Sequence, residues 1–140
     1  MRSRILKSIL SLPRLVLCAV VLYGLGAVAA ELPQQSSQAG GVTVRVKPAD
    51  VSPAAATWRF EVVLETHSGD LSEDLARIAF MVDAAGRRYP AAGWEGDPAG
   101  GHHRKGVLQF KAMSPRPGAI ELRILRPGEA APRSFRWKLT

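Results

Sequence analysis

From Val42 onward, apolar side chains recur at every second residue, and that period restricts the fold more than any other feature. Val42, Val44 and Val46 alternate with Thr43, Arg45 and Lys47 until Pro48 stops the run. Trp58, Phe60, Val62 and Leu64 alternate with Arg59, Glu61, Val63 and Glu65. Ile78, Phe80 and Val82 form a third row, closed by the turn sequence Asp83-Ala84-Ala85-Gly86, with residues 87–89 as a short return. Leu108 with Phe110, then Ile120, Leu122 and Ile124, then Phe135, Trp137 and Leu139 complete the series. Alternate residues of a strand share a face, so the pattern predicts sheets with one dry side and one wet side.

The segments between these rows fit that reading. Ser114-Pro115-Arg116-Pro117-Gly118 and Pro127-Gly128-Glu129-Ala130-Ala131-Pro132 carry strong turn chemistry. The single helical candidate is residues 71–77, with Asp70 as its cap and Asp74 near its start, too short for more than about two turns. Six to seven short strands without a long helix predict an all-β fold over residues 42–140, an antiparallel immunoglobulin-like β-sandwich, with a small barrel as the alternative. The cysteine pair of antibody domains is missing, so the expectation rests on pattern. Trp58 and Trp137 fall on dry faces and are expected in the core. Trp94 lies in Gly93-Trp94-Glu95-Gly96-Asp97-Pro98, read as a loop, where it should fold back over the sheet end with its N–H near the surface.

Residues 1–30 read as an export segment. Arg2, Arg4, Lys7 and Arg14 precede an uncharged run from Leu15 that ends in Gly26-Ala27-Val28-Ala29-Ala30. Small residues there suit signal-peptide cleavage, and the run is short of the about 20 residues that span a bilayer core. An uncleaved N-terminal membrane anchor is the alternative. Either way the basic flank stays inside, and the remainder is expected to be periplasmic or otherwise extracytoplasmic. Cys18, the only cysteine, follows Leu17 rather than a small residue, so it reads as an apolar member of this run and not as a lipid acceptor. Residues 31–41, rich in Gln, Ser and Gly, read as a flexible linker.

The export segment holds four of the nineteen basic residues and none of the twelve acidic ones, so the net charge of +7 falls to fifteen minus twelve, or +3, beyond it. That is a mildly basic domain and not a nucleic-acid footprint. With no cysteine after Cys18, disulfides, thiolate metal ligands and thiol nucleophiles are excluded there.

Chemistry concentrates in two stretches. One is Gly100-Gly101-His102-His103-Arg104-Lys105-Gly106, and the other is Thr66-His67-Ser68-Gly69-Asp70, which together hold all three histidines. "THSGDL", then "WEG", then "GGHHRKGVLQF" resembles a group of exported bacterial and archaeal proteins of unassigned role. The resemblance covers residues 60–110. It implies that His67, Trp94, Gly100, Gly101, His102, His103 and Gly106 belong to one pattern, and it implies no activity. The overall shape is also similar to exported copper-handling sandwiches, an analogy of fold alone.

Three imidazoles from two loops suit Cu(II) or Zn, with Asp70, Glu95 and Asp97 as further ligands or as groups that orient a ring. The expectation carries two conditions. His102 and His103 share an ion only if they sit in a turn, because neighbours on a strand face opposite ways. The strand ending at Thr66 must also lie beside the one beginning near Gly106. The competing reading is structural, with the histidines holding an irregular loop through hydrogen bonds and the glycines allowing its path. Enzymatic function is not expected. No Gly-x-Ser-x-Gly, HExxH or phosphate loop is present, and Glu73 and Asp74 read as solvated or capping residues. As an interaction module of the cell envelope, the domain would meet an envelope protein or anionic surface through a rim of Arg87, Arg88, Arg104 and Lys105.

Overall fold

The computed structural model describes residues 30–140, so residues 1–29 with Cys18, on which the expectation of an export segment rests, lie outside the described residues. Nine strands and a one-turn helix follow: β1 (Gln35–Ala39), β2 (Val42–Asp50), β3 (Thr57–Thr66), α1 (Leu75–Ile78), β4 (Ala79–Val82), β5 (Arg88–Pro90), β6 (Gly93–Gly96), β7 (His103–Lys111), β8 (Ala119–Ile124) and β9 (Arg133–Lys138). They form two antiparallel sheets, one in the order β1-β2-β3-β7-β6 and the other β5-β4-β8-β9. The dry faces of both contribute to a single core.

The alternating rows behave as the period dictates. Val42, Val44, Val46, Trp58, Phe60, Val62, Leu64, Leu108, Phe110, Ile120, Leu122, Ile124, Phe135 and Trp137 are all buried. Phe60 of the larger sheet meets Phe110 edge-on at 5.7 Å and Trp137 of the smaller sheet at 5.8 Å. Each such side chain contributes about 1.5–3 kcal/mol by leaving water, so this interdigitation is the main cohesive force between the layers.

Four local expectations are corrected. Pro48 does not end β2; the strand continues to Asp50 through a register shift at Pro48, beyond the last β1 pairing at Val46. There β2 has a free edge, where a missing N–H is tolerated. The helix begins at Leu75 and not at Leu71, because Asp74 and not Asp70 caps it, accepting from the Ala76 N–H. That turn ends at Ile78 and shifts the face of β4. Ala79 and Met81 point into the core, while Phe80 lies half-buried outside with the Arg88 guanidinium 4.5 Å above its ring.

The third correction concerns residues 31–41, expected as a flexible linker. They contain β1, hairpinned onto β2 through Gly40 and Gly41, both at positive φ. A two-residue turn with both centres left-handed suits glycine and matches the twist of the strands it joins. β1 also reaches the other sheet. The Gln35 side chain donates to the Arg136 carbonyl and accepts from its N–H, and Trp137 Nε1 donates to the Pro33 carbonyl at 2.7 Å.

The fourth is Gly93–Gly96, expected as a loop and found as strand β6 on the edge of β7. Its Trp94 packs half-buried against the core, and its Nε1 donates to the Asp97 carbonyl at 2.9 Å. With β1 and β6 the strands number nine, against the six to seven expected.

One end of the molecule is fastened by charge. Glu73 (side chain 4% exposed) pairs with Arg126, and Glu129 pairs with Arg126 and with Arg133 (3% exposed). Arg133 also donates to the carbonyls of Ser37, Ala39 and Val42. Glu73 is therefore an internal ion partner and not the solvated residue its sequence context suggests. Burial raises the Glu129 carboxyl, but hydrogen bonds from Arg133 and the nearby guanidinium charges outweigh this and leave it below the ordinary range.

Candidate functional site

The two histidine stretches meet. β3 and β7 pair in the register Glu65 to His103, and the Thr66 N–H donates to the His102 carbonyl at 2.9 Å. Beyond the sheet the contact continues, from the Leu71 N–H to the Gly101 carbonyl and from the Gly100 N–H to the Leu71 carbonyl, both 2.9 Å. Gly100 and Gly101 adopt φ of 115° and 78°, a backbone that residues with a Cβ rarely take.

Gly106 has a different reason to be glycine. It lies within β7 at an ordinary strand φ, directly opposite Gly96. A Cβ on Gly106 would fall 2.5 Å from both the Glu95 carbonyl oxygen and Trp94 Cζ2. The bare Gly106 leaves room for the Trp94 indole, while a Cβ on Gly96 would collide with the Gly106 Cα, so the two strands approach closely only because both positions are glycine.

The chain direction through residues 102–105 separates the histidines. His103 opens β7 and points to the outer face, where its Nε2 lies 3.7 Å from Glu65. Arg104 points inward and is 2% exposed, and Lys105 points outward again. His102, in the bend before the strand, shares with His67 a groove of about 390 Å³ whose other walls include Gln38, Thr43, Arg45 and Glu65. His67 and His102 are thus brought together, and His103 is turned toward Glu65.

The three carboxylates named as further ligands are committed elsewhere. Asp70 accepts from the Gly101 N–H. Asp97 accepts from the Lys105 N–H at 2.8 Å. Glu95 pairs with Arg59 at 3.2 Å, and hydrogen bonds from Gln109 and Arg59 hold its carboxyl below the ordinary range. Glu65 pairs with Arg45 at 2.6 Å. Among the described residues, no group of three or more His, Cys, Asp or Glu side chains is placed to hold one metal ion.

Arg104 is the residue that sequence reasoning misplaced. Expected on a basic rim, it is instead the internal bolt of this end. Its Nη1 donates to the Leu71 and Glu73 carbonyls at 3.1 and 2.7 Å, and its guanidinium lies 5.6 Å from the Trp94 ring. Its Nε has no partner among the described residues. Arg87 and Arg88 belong to the other sheet; Arg87 pairs with Asp83 at 2.9 Å and Arg88 covers Phe80. The four basic residues therefore do not form one rim. The inward position of Arg104 was available from the alternation, since counting back by twos from Phe110 and Leu108 passes through Gly106 to Arg104.

Chemically, the arrangement holds a loop. The buried arginine binds carbonyls, an aspartate binds an N–H, and two solvent-facing imidazoles flank a groove neutralised by an arginine–glutamate pair. No protein-family model matches the chain, and no curated protein or solved structure matches it significantly.

Proposed function

We propose that the chain is an exported, non-enzymatic β-sandwich of immunoglobulin-like type that serves as an interaction module of the cell envelope, with its histidine loop structural. The strand order favours the immunoglobulin-like assignment. Lettering β2 as A and counting forward, β2-β3-β7-β6 is the A-B-E-D order, and β5-β4-β8-β9 is a C-F-G order with one added strand. β1 is then an extra strand ahead of A. Export rests on the basic, apolar and small-residue succession of residues 1–30.

The observation that carries the structural reading of the loop is the internal use of its polar groups. Asp70, Asp97 and Glu95, the available oxygen ligands, already answer N–H or guanidinium donors. A metal would have to displace those bonds before gaining its own. A second reading, binding of Cu(II) or Zn, is favoured by one observation: His67 and His102 share a groove with Glu65.

Calorimetric titration of the fragment 31–140 with Cu(II) and Zn separates the two. This fragment contains every buried core residue among the described residues. The proposal expects weak, non-stoichiometric heats that persist in a His67→Ala/His102→Ala/His103→Ala variant. A tight one-to-one isotherm lost in that variant, with the fold intact, would replace the structural reading with metal binding.

A further inference from the structure

We infer that the outer face of the four-stranded sheet docks an acidic polypeptide segment, an inference that rests on the interaction-module reading and supplies its surface and partner chemistry. The pairing places two rows on this face. One runs Arg88, Val82, Glu121, Arg136, and the next runs Pro90, Phe80, Arg123, Ser134, with Lys138 opposite Ala119 beside them. Four basic residues (Arg88, Arg123, Arg136, Lys138) face one acidic residue, Glu121, an excess of +3. Beyond the export segment the whole chain carries fifteen basic and twelve acidic residues, also +3. The net charge of the domain is therefore equalled by this one face.

The opposite outer face is different. Arg45, Lys47, Arg59, Lys105 and Lys111 stand against Asp50, Glu61, Glu65, Glu95 and the Glu31 that reaches Lys47, a balance of charge, and three of the five cations are paired, to Glu65, Glu31 and Glu95. On the four-stranded sheet, Glu121 is saturated by Ser134, Arg123 and Arg136 at 2.6 to 3.0 Å. Arg88 and Lys138 pair with no carboxylate among the described residues. Arginine fork donors in excess over acceptors call for carboxylates from outside.

The face is also partly apolar at its centre. Phe80 lies under the Arg88 guanidinium at 4.5 Å, beside Val82 and Pro90. Arginine over a half-buried aromatic is the composition of interface centres, and it asks for an apolar group between the acidic ones. A second copy of this chain is a poor occupant, because the same +3 face would meet itself. Arg88 and Arg136 lie on strands three steps apart, about 14 Å at about 4.8 Å per step. An extended segment covers that span in about four residues at about 3.3 Å each. The occupant is thus an extended chain with carboxylates about four residues apart and an apolar side chain midway on the same side.

The test is fluorescence anisotropy of a labelled peptide of repeating sequence Glu-Ser-Leu-Ser with the fragment 31–140. Two variants of equal charge change accompany it, Arg88→Glu/Lys138→Glu on this face and Lys105→Glu/Lys111→Glu on the other. All four positions are exposed, and thermal scans verify that each variant folds. The inference expects saturable binding, weakened by added salt, about tenfold or more weaker in the first variant and within about twofold in the second. Equal losses in both variants would reduce the effect to net charge and overturn it, as would the absence of peptide binding. Vesicles containing phosphatidylglycerol and a sulfated polysaccharide are run in parallel. Either of them binding through Arg88 and Lys138 in preference to the peptide would overturn the polypeptide assignment. The metal titration reports on the histidine end alone, so a tight metal isotherm and a failed peptide titration are separate failures.

Discussion

Replacing Gly106 by alanine probes the packing that keeps β6, β7 and the buried Arg104 together. The new Cβ would stand 2.5 Å from the Glu95 carbonyl oxygen, 2.5 Å from Trp94 Cζ2 and 2.7 Å from Trp94 Cη2. The carbonyl belongs to the paired strand and has little room to retreat, so the indole must swing away or β6 must peel from its edge. Overpacking of this kind costs about 1–3 kcal/mol. Displacing the ring also forfeits its contact with Arg104, about 0.5–2 kcal/mol for a partly desolvated cation–π pair. The two ranges add to about 1.5–5 kcal/mol. For a domain near this size each kcal/mol lowers the melting temperature by about 4 °C, so Gly106→Ala should melt about 6–20 °C early. Thermal unfolding followed by near-ultraviolet circular dichroism measures this directly. Two companions make the test specific. Gly118→Ala, with no atom within 4 Å of the added carbon and no positive φ, should change stability by less than about 1 kcal/mol. Trp94→Ala/Gly106→Ala should fall short of the sum of the single losses, because the indole is half of the clash. A Gly106→Ala protein that melts within 2–3 °C of the parent, or a strictly additive double variant, would refute the reasoning.

Arg133→Met should lower stability by about 3–5 kcal/mol in urea denaturation, because it leaves Glu129 only its longer pair to Arg126 at 3.4 Å and unpairs three backbone carbonyls at once. Acid should weaken the fold in a defined window. Burial raises the Glu121 carboxyl, but hydrogen bonds from Ser134, Arg123 and Arg136 outweigh it and hold the group at about 2, while the Arg87 N–H, with Tyr89 and further bonds from the same turn, does likewise for Asp83 at about 2. Both are depressed carboxylates, so their stabilisation is complete above the ordinary range near 4 and is lost as the pH falls toward 2. Melting temperature against pH should drop over that interval, and Glu121→Gln should show a shallower drop from a lower plateau.

The strands that carried large aliphatic or aromatic residues at alternate positions were legible, since a one-residue error would have put Trp58 or Phe135 into water. β1 was not, because an edge strand needs only one buried side and its inward residues are Gln35, Ser37 and Ala39. β6 was hidden by its brevity and its flanking glycines. The face of β4 was misread because a single helical turn, set by the Asp74 cap, precedes it and shifts the count by one. At the histidine end, both stretches were legible as special and their meeting was not. Cross-strand register is a non-local property that no local period encodes. The buried role of Arg104 was readable in principle, but a charge at an inward position is expensive. The carbonyls of Leu71 and Glu73, more than thirty residues away, offset most of that cost, with the Asp97 carbonyl accepting at 3.4 Å.

The stitching of β1 to β9 bears on how the domain avoids its own kind. A two-layer sheet protein has four raw edges, each a template on which another chain can add a strand. Here Gln35 takes both backbone groups of Arg136, and Arg133 takes the carbonyls of Ser37 and Ala39, so the two edges on that side close against each other. The other two edges are β5 and β6, three and four residues long, too short to nucleate much pairing. A fragment trimmed to Val42, where the aliphatic alternation starts, would keep nearly all of the core yet lay β2 and β9 open along their length. The segment before Val42 therefore acts as a selvedge, and the natural unit of solubility is longer than the unit of hydrophobic packing.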